Sequence, residues 1–247
     1  MELSIIIPAY NEEKRIGKTL EEYLSFFSKN NKENYEIIVV MNGCTDTTYG
    51  ILESFKKKHT PLKILEFKAG IGKGGAVIEG FKIAKGDLIG FVDADNSTSA
   101  PEFEKCVKNI LGYDGVIASR YIQDAVVEPK QPLSRRIASR GFNILIKILF
   151  GLRIKDSQCG AKLFRKDVIK KILPDLGITR WAFDVDLLYQ LKRNRFVVKE
   201  IPILWKDSEG STLNVRKATI EMFLAVTRLR LIYSPLRVIV KVYDKLF

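Results

Sequence analysis

The sequence predicts a Rossmann-like α/β fold: a doubly wound, mostly parallel sheet with helices on both faces. From the start to about Ser119, short β-rich apolar runs alternate with helix-length amphipathic runs. The strand runs also lack clean polar alternation, as expected where both faces of a parallel sheet are covered. At 247 residues and 46% hydrophobic, the chain is long enough for one large α/β domain or two small ones with a real core.

Taken in order, "LSIIIP" reads as the first strand and is followed by a helix to about Phe27. "YEIIVVM" is the second strand, with a helix from Thr45 to Lys58; "LKILEF" is the third, with a helix from Gly74 to Lys85. "DLIGFV" and a helix from Pro101 to Leu111 complete the fourth unit, and "GVIAS" follows as a strand. After Ser119 the alternation stops. A loop "QDAVVEPKQP" leads to a basic amphipathic helix from Ser134 to Leu149, then to "DSQCGAKLF", "RWAFDVDLLYQLKR" and "FVVKEIPILW". In the basic tail "RKATIEMFLAVTRLRLIYSPLRVIVKVYDKLF", Pro235 should divide two helices. The expected organisation is one catalytic-size domain over 1–213 and a basic amphipathic extension over 214–247.

A formal charge of +12 points to phosphates on nucleotides, nucleic acid or anionic lipid. The three cysteines, Cys44, Cys106 and Cys159, have no CxxC spacing, and the chain opens on strand-like sequence, so a reducing cytoplasm and no zinc site are expected. "GFNILIKILFGL", the longest apolar stretch, holds Lys147 and is well short of the roughly 20 residues a membrane span needs. The tail and "SRRIASRGFNILIKILFGL" interleave basic with large apolar residues. Such helices either lie on an anionic membrane or pack on the core with basic faces in water; finding two favours the membrane.

In a doubly wound sheet, the carboxyl ends of the strands converge on the ligand site. Three of them carry polar clusters: Pro8 to Glu12, Asn42 to Asp46, and Asp93-Ala94-Asp95. Two carboxylates one residue apart in a loop can face one hard cation, and Mg²⁺ or Mn²⁺ is commonly held by one or two carboxylates together with substrate phosphates. The alternative is that one of them caps the following turn. "AGIGKGGAV" lacks both GxxxxGK[ST] and GxGxxG spacing; Lys73 is a nucleotide-phosphate candidate, while the glycines equally serve tight turns. His59, the one histidine, reads as a surface residue, which excludes Ser-His-Asp and Cys-His chemistry.

In combination, "SIIIPAYNEE", "NGCTDTT", "GKGGAVIEGFKIAKGD" and "FVDAD" resemble the inverting nucleotide-sugar glycosyltransferases of family 2, with their GT-A fold. "ASRYI", "DSQCGAKLF", "RWAFDVDLLY" and "SEGSTLN" look like the dolichyl-phosphate glucosyltransferase branch, with the dolichyl-phosphate mannose synthases as close relatives. The resemblance implies a nucleotide pocket lined by Pro8, Ala9, Tyr10 and Glu12 with Asn42, Asp46 and Lys73. Asp93 would touch the nucleotide or its metal, and Asp95 would ligate Mg²⁺ or Mn²⁺. Ser97 stands where mannose synthases can have a further ligand, and Asn42 stands where many members have an acid. Arg120, Arg135 and Ser139 match positions that hold a lipid phosphate, a task suited to the planar guanidinium. Gln158, with Cys159 and Gly160, would flank the donor sugar, and Asp184 would act near the acceptor.

The implied reaction is inverting, metal-dependent transfer of a hexose from a nucleotide sugar to polyprenyl (dolichyl) phosphate by a peripheral enzyme at the cytoplasmic membrane face. UDP-glucose is the expected donor, with GDP-mannose as the alternative. A basic nucleic-acid-binding module, the reading from another class, would need interleaved aromatic and basic residues on one face or a recognisable motif, and neither is present.

Overall fold

The computed structural model describes residues 2–31, 34–129, 133–177, 182–206, 215–235 and 237, with only the backbone described for 30–31, 133–135 and 215–219. Four β/α units open the chain: β1 (Leu3–Ala9) with α1 (Ile16–Asn31), β2 (Tyr35–Asn42) with α2 (Thr48–Lys56), β3 (Leu62–Phe67) with α3 (Gly72–Ile83), and β4 (Leu88–Phe91) with α4 (Ala100–Lys108). Then come β5 (Gly115–Ser119), β6 (Val126–Glu128), α5 (Leu133–Phe150), β7 (Lys162–Arg165), α6 (Lys166–Ile172), α7 (Phe183–Arg193), β8 (Val198–Pro202), β9 (Leu204–Lys206) and α8 (Val215–Ile232).

The main sheet has seven strands in the order β3-β2-β1-β4-β7-β5-β8. Alternate residues of the central strands face opposite cores. Ile5 and Ile7 of β1, with Ile37 and Val39 of β2, meet Leu20, Tyr23 and Phe27 of α1 and Phe103 of α4. Ile6, Ile38 and Val40 face Ala76, Val77 and Phe81 of α3 and Val185 and Leu188 of α7. Both faces are therefore dry, which is why β1 and β2 read as unbroken apolar runs.

The sequence assigns none of the four strands after β5, and the site depends on one of them. β7 lies between β4 and β5 and is antiparallel to both, with Lys162 opposite Phe91 and Ile117. Because it runs backwards, its first residue sits at the carboxyl end of β4. The preceding loop, Gln158-Cys159-Gly160, is thereby carried to the edge where Asp93 emerges.

α3 begins at Gly72, two residues earlier than expected, and so includes Lys73 in its first turn. The segment expected as a loop after Ser119 contains β6, which pairs in parallel with β9. α5 and α8 each carry buried and exposed apolar residues. Ile146, Phe150, Val226 and Leu229 are buried in the core, whereas Ile137, Ile144, Ile148, Ile220, Phe223 and Leu224 are exposed. α8 ends in a turn at Tyr233 to Pro235, and the helix expected beyond Pro235 lies outside the described residues apart from Arg237.

Candidate active site

A single cleft at the carboxyl edge is lined by Pro8, Ala9, Tyr10, Glu12, Asn42, Lys73, Asp93, Ala94 and Asp95. Three strand ends thus converge as expected of a doubly wound sheet, and the start of α3 joins them through Lys73. Asn42 sits at the end of β2, where its Oδ1 accepts the backbone N–H groups of Ile71 (2.5 Å) and Gly72 (3.0 Å). It thereby fixes the opening of α3. The glycines after Gly72, which itself has φ 78°, serve packing: a Cβ on Gly74 would lie 2.5 Å from that of Phe183.

Asp93 and Asp95 differ in their partners. Lys73 Nζ lies 2.5 Å from Asp93 Oδ1. Burial opposes ionisation of Asp93, but the Lys73 ammonium outweighs it and holds the carboxyl below its ordinary range. Asp95 is pushed the other way, by burial and then by the charge of Asp93. Its Oδ1 accepts the Ser97 backbone N–H at 2.9 Å, and Arg15 Nη1 stands 4.0 Å from Oδ2. Arg15 also grips Glu12 through two bonds of 2.7 Å. Asp46 stands beside the cleft lining: its carboxylate accepts the N–H groups of Glu13 (3.1 Å) and Thr48 (3.0 Å), tying the first two loops together. His59 stacks on Phe55, away from the cleft lining.

The donor set fits a divalent ion. Among the described residues no group of three or more carboxylate, thiol or imidazole side chains forms a closed cage. Two adjacent carboxylates in an open cleft suit Mg²⁺ or Mn²⁺, which keep further positions for phosphate oxygens and water. Gly160 completes one wall, since a Cβ there would fall 1.8 Å from Asp93 Oδ2. Next to it, the side-chain Nε2 of Gln158 is a buried donor with no hydrogen-bond partner among the described residues.

Arg120, at the end of β5, is held by Asp156: Nε and Nη2 each lie 2.8 Å from its carboxylate, and the Arg120 N–H donates at 2.9 Å. Its guanidinium also stacks against Tyr121 and Trp205, each 5.3 Å from the ring centroid. Tyr121 Oη is 2.9 Å from Ser139 Oγ, which brings α5 to this end of β5. One turn on, Asn143 Oδ1 accepts from Ser157 Oγ (2.7 Å) and N (3.2 Å), joining α5 to the Gln158 loop. The side chain of Arg135 lies outside the described residues.

Asp184, in the first turn of α7, is 2.5 Å from the ammonium of Lys162. Sequence reasoning missed Lys162 and Asp156. Lys162 is fully buried; it donates to the Cys159 carbonyl at 2.6 Å as well as to Asp184, and its ammonium lies 5.3 Å from the Phe91 ring centroid. The available signal was a lysine inside the apolar run "GAKLF", since lysine is almost never fully buried unless paired.

Residues 4–173 match the model of the family described as glycosyl transferase family 2. The chain is 34% identical over 245 residues to a Dictyostelium discoideum protein named dolichyl-phosphate beta-glucosyltransferase, covering 94% of this chain and 74% of that one. A human protein of the same name is 33% identical, with 86% and 69% covered. Among solved structures, glucosyl-3-phosphoglycerate synthase from Mycobacterium tuberculosis, in complex with Mn²⁺, uridine diphosphate and glucosyl-3-phosphoglycerate, superposes with a TM-score of 0.66 at 15% identity over 91% of this chain and 78% of that one. That likeness shows the shared fold.

Proposed function

The chain belongs to glycosyl transferase family 2, and we propose that it transfers glucose from UDP-glucose to the phosphate of a dolichyl or other polyprenyl lipid, inverting the anomeric carbon. The observation that carries this reading is the convergence of Glu12, Asn42, Lys73, Asp93 and Asp95 on one cleft, walled by Gly160. The names of the relatives at 31–35% identity supply the substrate class.

Tyr10, Glu12 and Asn42 would receive the nucleoside, with Pro8 and Ala9 forming the floor. Asp93 and Asp95 would hold a divalent ion, Mg²⁺ or Mn²⁺, which when bound neutralises the departing nucleotide diphosphate. Lys73 reaches the same phosphates, and the unpaired Gln158 amide faces the sugar or its phosphate. Arg120, oriented by Asp156, and Ser139, with Arg135 on the same helix, would seat the acceptor phosphate.

Asp184 is committed to Lys162, and the chemistry needs no strong base from it. A phosphate monoester has its second pKa near about 6 and is already mostly a dianion at neutral pH. In this scheme the protein's task is alignment of that oxygen behind the anomeric carbon. The exposed Ile137, Ile144, Ile148, Ile220, Phe223 and Leu224, with exposed Arg136, Arg140 and Lys147, form an apolar and cationic surface suited to an anionic membrane at the cytoplasmic face. Among the described residues no helix is long and apolar enough to cross a membrane.

The test offers the full chain radiolabelled UDP-glucose, GDP-mannose and other nucleotide sugars with polyprenyl phosphate and Mg²⁺ or Mn²⁺, then measures label in the organic phase. Label should enter from UDP-glucose, and a chelator or Asp95→Ala should abolish the transfer. Label from GDP-mannose alone would overturn the donor assignment, and full turnover in Asp95→Ala would overturn the metal assignment.

A further inference from the structure

Asp93 already has a cation. The Lys73 ammonium lies 2.5 Å from Oδ1, and the charges of Asp184 and Asp95 add to its attraction. The pair is open, with the Lys73 side chain 41% and the Asp93 side chain 36% exposed. Any dication entering the cleft therefore meets it directly. The backbone beneath Lys73 cannot retreat: Asn42 pins the N–H groups of Ile71 and Gly72, and Gly74 is packed against Phe183. Only the four-carbon stem of the lysine is free to swing.

We propose that Lys73 is the resident counter-ion of the metal site. It competes with the dication for Asp93 until a nucleotide diphosphate offers it another anion, so metal and nucleotide load together and metal alone loads poorly. The proposal rests on the reading of Asp93 and Asp95 as metal ligands. A dication arriving alone must break the ion pair and then tolerate an ammonium anchored a few ångströms away, with no phosphate present to receive it. A diphosphate removes both penalties, because lysine is a compact charge on a flexible stem that can move to the new anion. The metal and the nucleotide must then raise each other's affinity by the same factor. Even with water-like screening, a unit charge about 5 Å from a dication weakens its binding by at least about tenfold.

The experiment measures Mn²⁺ binding to the full chain by the paramagnetic resonance of free Mn²⁺, with and without UDP. The proteins compared are wild type, Lys73→Met, the equally neutral Lys73→Gln, and Lys73→Arg. Without UDP, Met and Gln should bind Mn²⁺ at least about tenfold more tightly than wild type, and the further gain on adding UDP should shrink by a similar factor. The Arg variant should behave as wild type. If UDP tightens Mn²⁺ on wild type but the neutral variants match wild type without UDP, the counter-ion role is wrong. If wild type takes up no Mn²⁺ even with UDP, the metal reading falls and this inference with it.

Discussion

Replacing Gly160 with alanine adds one methyl group 1.8 Å from Asp93 Oδ2. Contacts shorter than 3.0 Å are essentially never seen for a real Cβ, so the carboxylate must withdraw by about 1.2 Å or more. The atom in the way is the end of a side chain at the rim of an open cleft, so rotation of Asp93 relieves the clash and the fold loses little, about 1 kcal/mol or less. Function has no such escape. A misplacement of about 1 Å in a positioned group costs on the order of 10²-fold, equivalent to about 2.7 kcal/mol of transition-state stabilisation. The assay is kcat/KM for transfer from UDP-glucose, measured across a metal titration and beside a thermal melt. In an Asp93→Ala background the same glycine change should have almost no further effect, because the two act through one contact. Turnover in Gly160→Ala within about threefold of wild type would refute the reasoning, as would full additivity with Asp93→Ala.

Lys162→Met leaves Asp184 buried without its cation and should destabilise the protein by about 3–5 kcal/mol; in a denaturant melt, Lys162→Met/Asp184→Asn should recover most of that loss without recovering turnover. Glu36 is buried and accepts from Ser4 Oγ (2.6 Å), the Lys85 N–H (2.7 Å) and the Lys63 ammonium. Burial opposes its ionisation, but those donors hold its carboxyl below the ordinary 4.5. Its contribution is therefore full above about pH 4.5 and lost as pH falls through the lower folded-state value. Glu36→Gln should thus cost about 1–3 kcal/mol at pH 7, with the gap to wild type narrowing in melts as pH falls below 4.5. Changing Ile144, Ile148 and Phe223 together to serine should reduce flotation with anionic vesicles severalfold while leaving the melting temperature within a few degrees; unchanged flotation would argue against that surface as the membrane contact.

The half of the site proposed for the nucleotide was legible because its signals are local. Each strand end is an apolar run that stops at a polar cluster, and a parallel sheet brings such ends together whatever lies between them. Asn42 shows how far this reaches: its place was readable, but its grip on the first turn of α3 was not. The half proposed for the acceptor was harder to read, because it hangs on β7. A four-residue strand gives almost no periodicity, and its partners β4 and β5 are set by pairings distant in sequence. Lys162 and Asp156 inherit that obscurity, since each acts on a group brought near by β7 or by the loop before it. The two-sided character of α5 and α8 was visible as amphipathicity, but which apolar residues pack inward is decided by the facing helix.

The backward strand also sets an order of events in the life of the chain. β1 to β4 can pair as they leave the ribosome, bringing together the strand ends that would take the nucleotide. The outer edge of β4 must then wait for roughly 70 more residues before Lys162 arrives opposite Phe91. Through that interval a hydrophobic edge stands open, the kind of surface on which nascent chains aggregate or recruit chaperones. The wall behind Asp93 closes only when that edge is covered, so the strand ends proposed for the donor are in place well before the rest of the cleft.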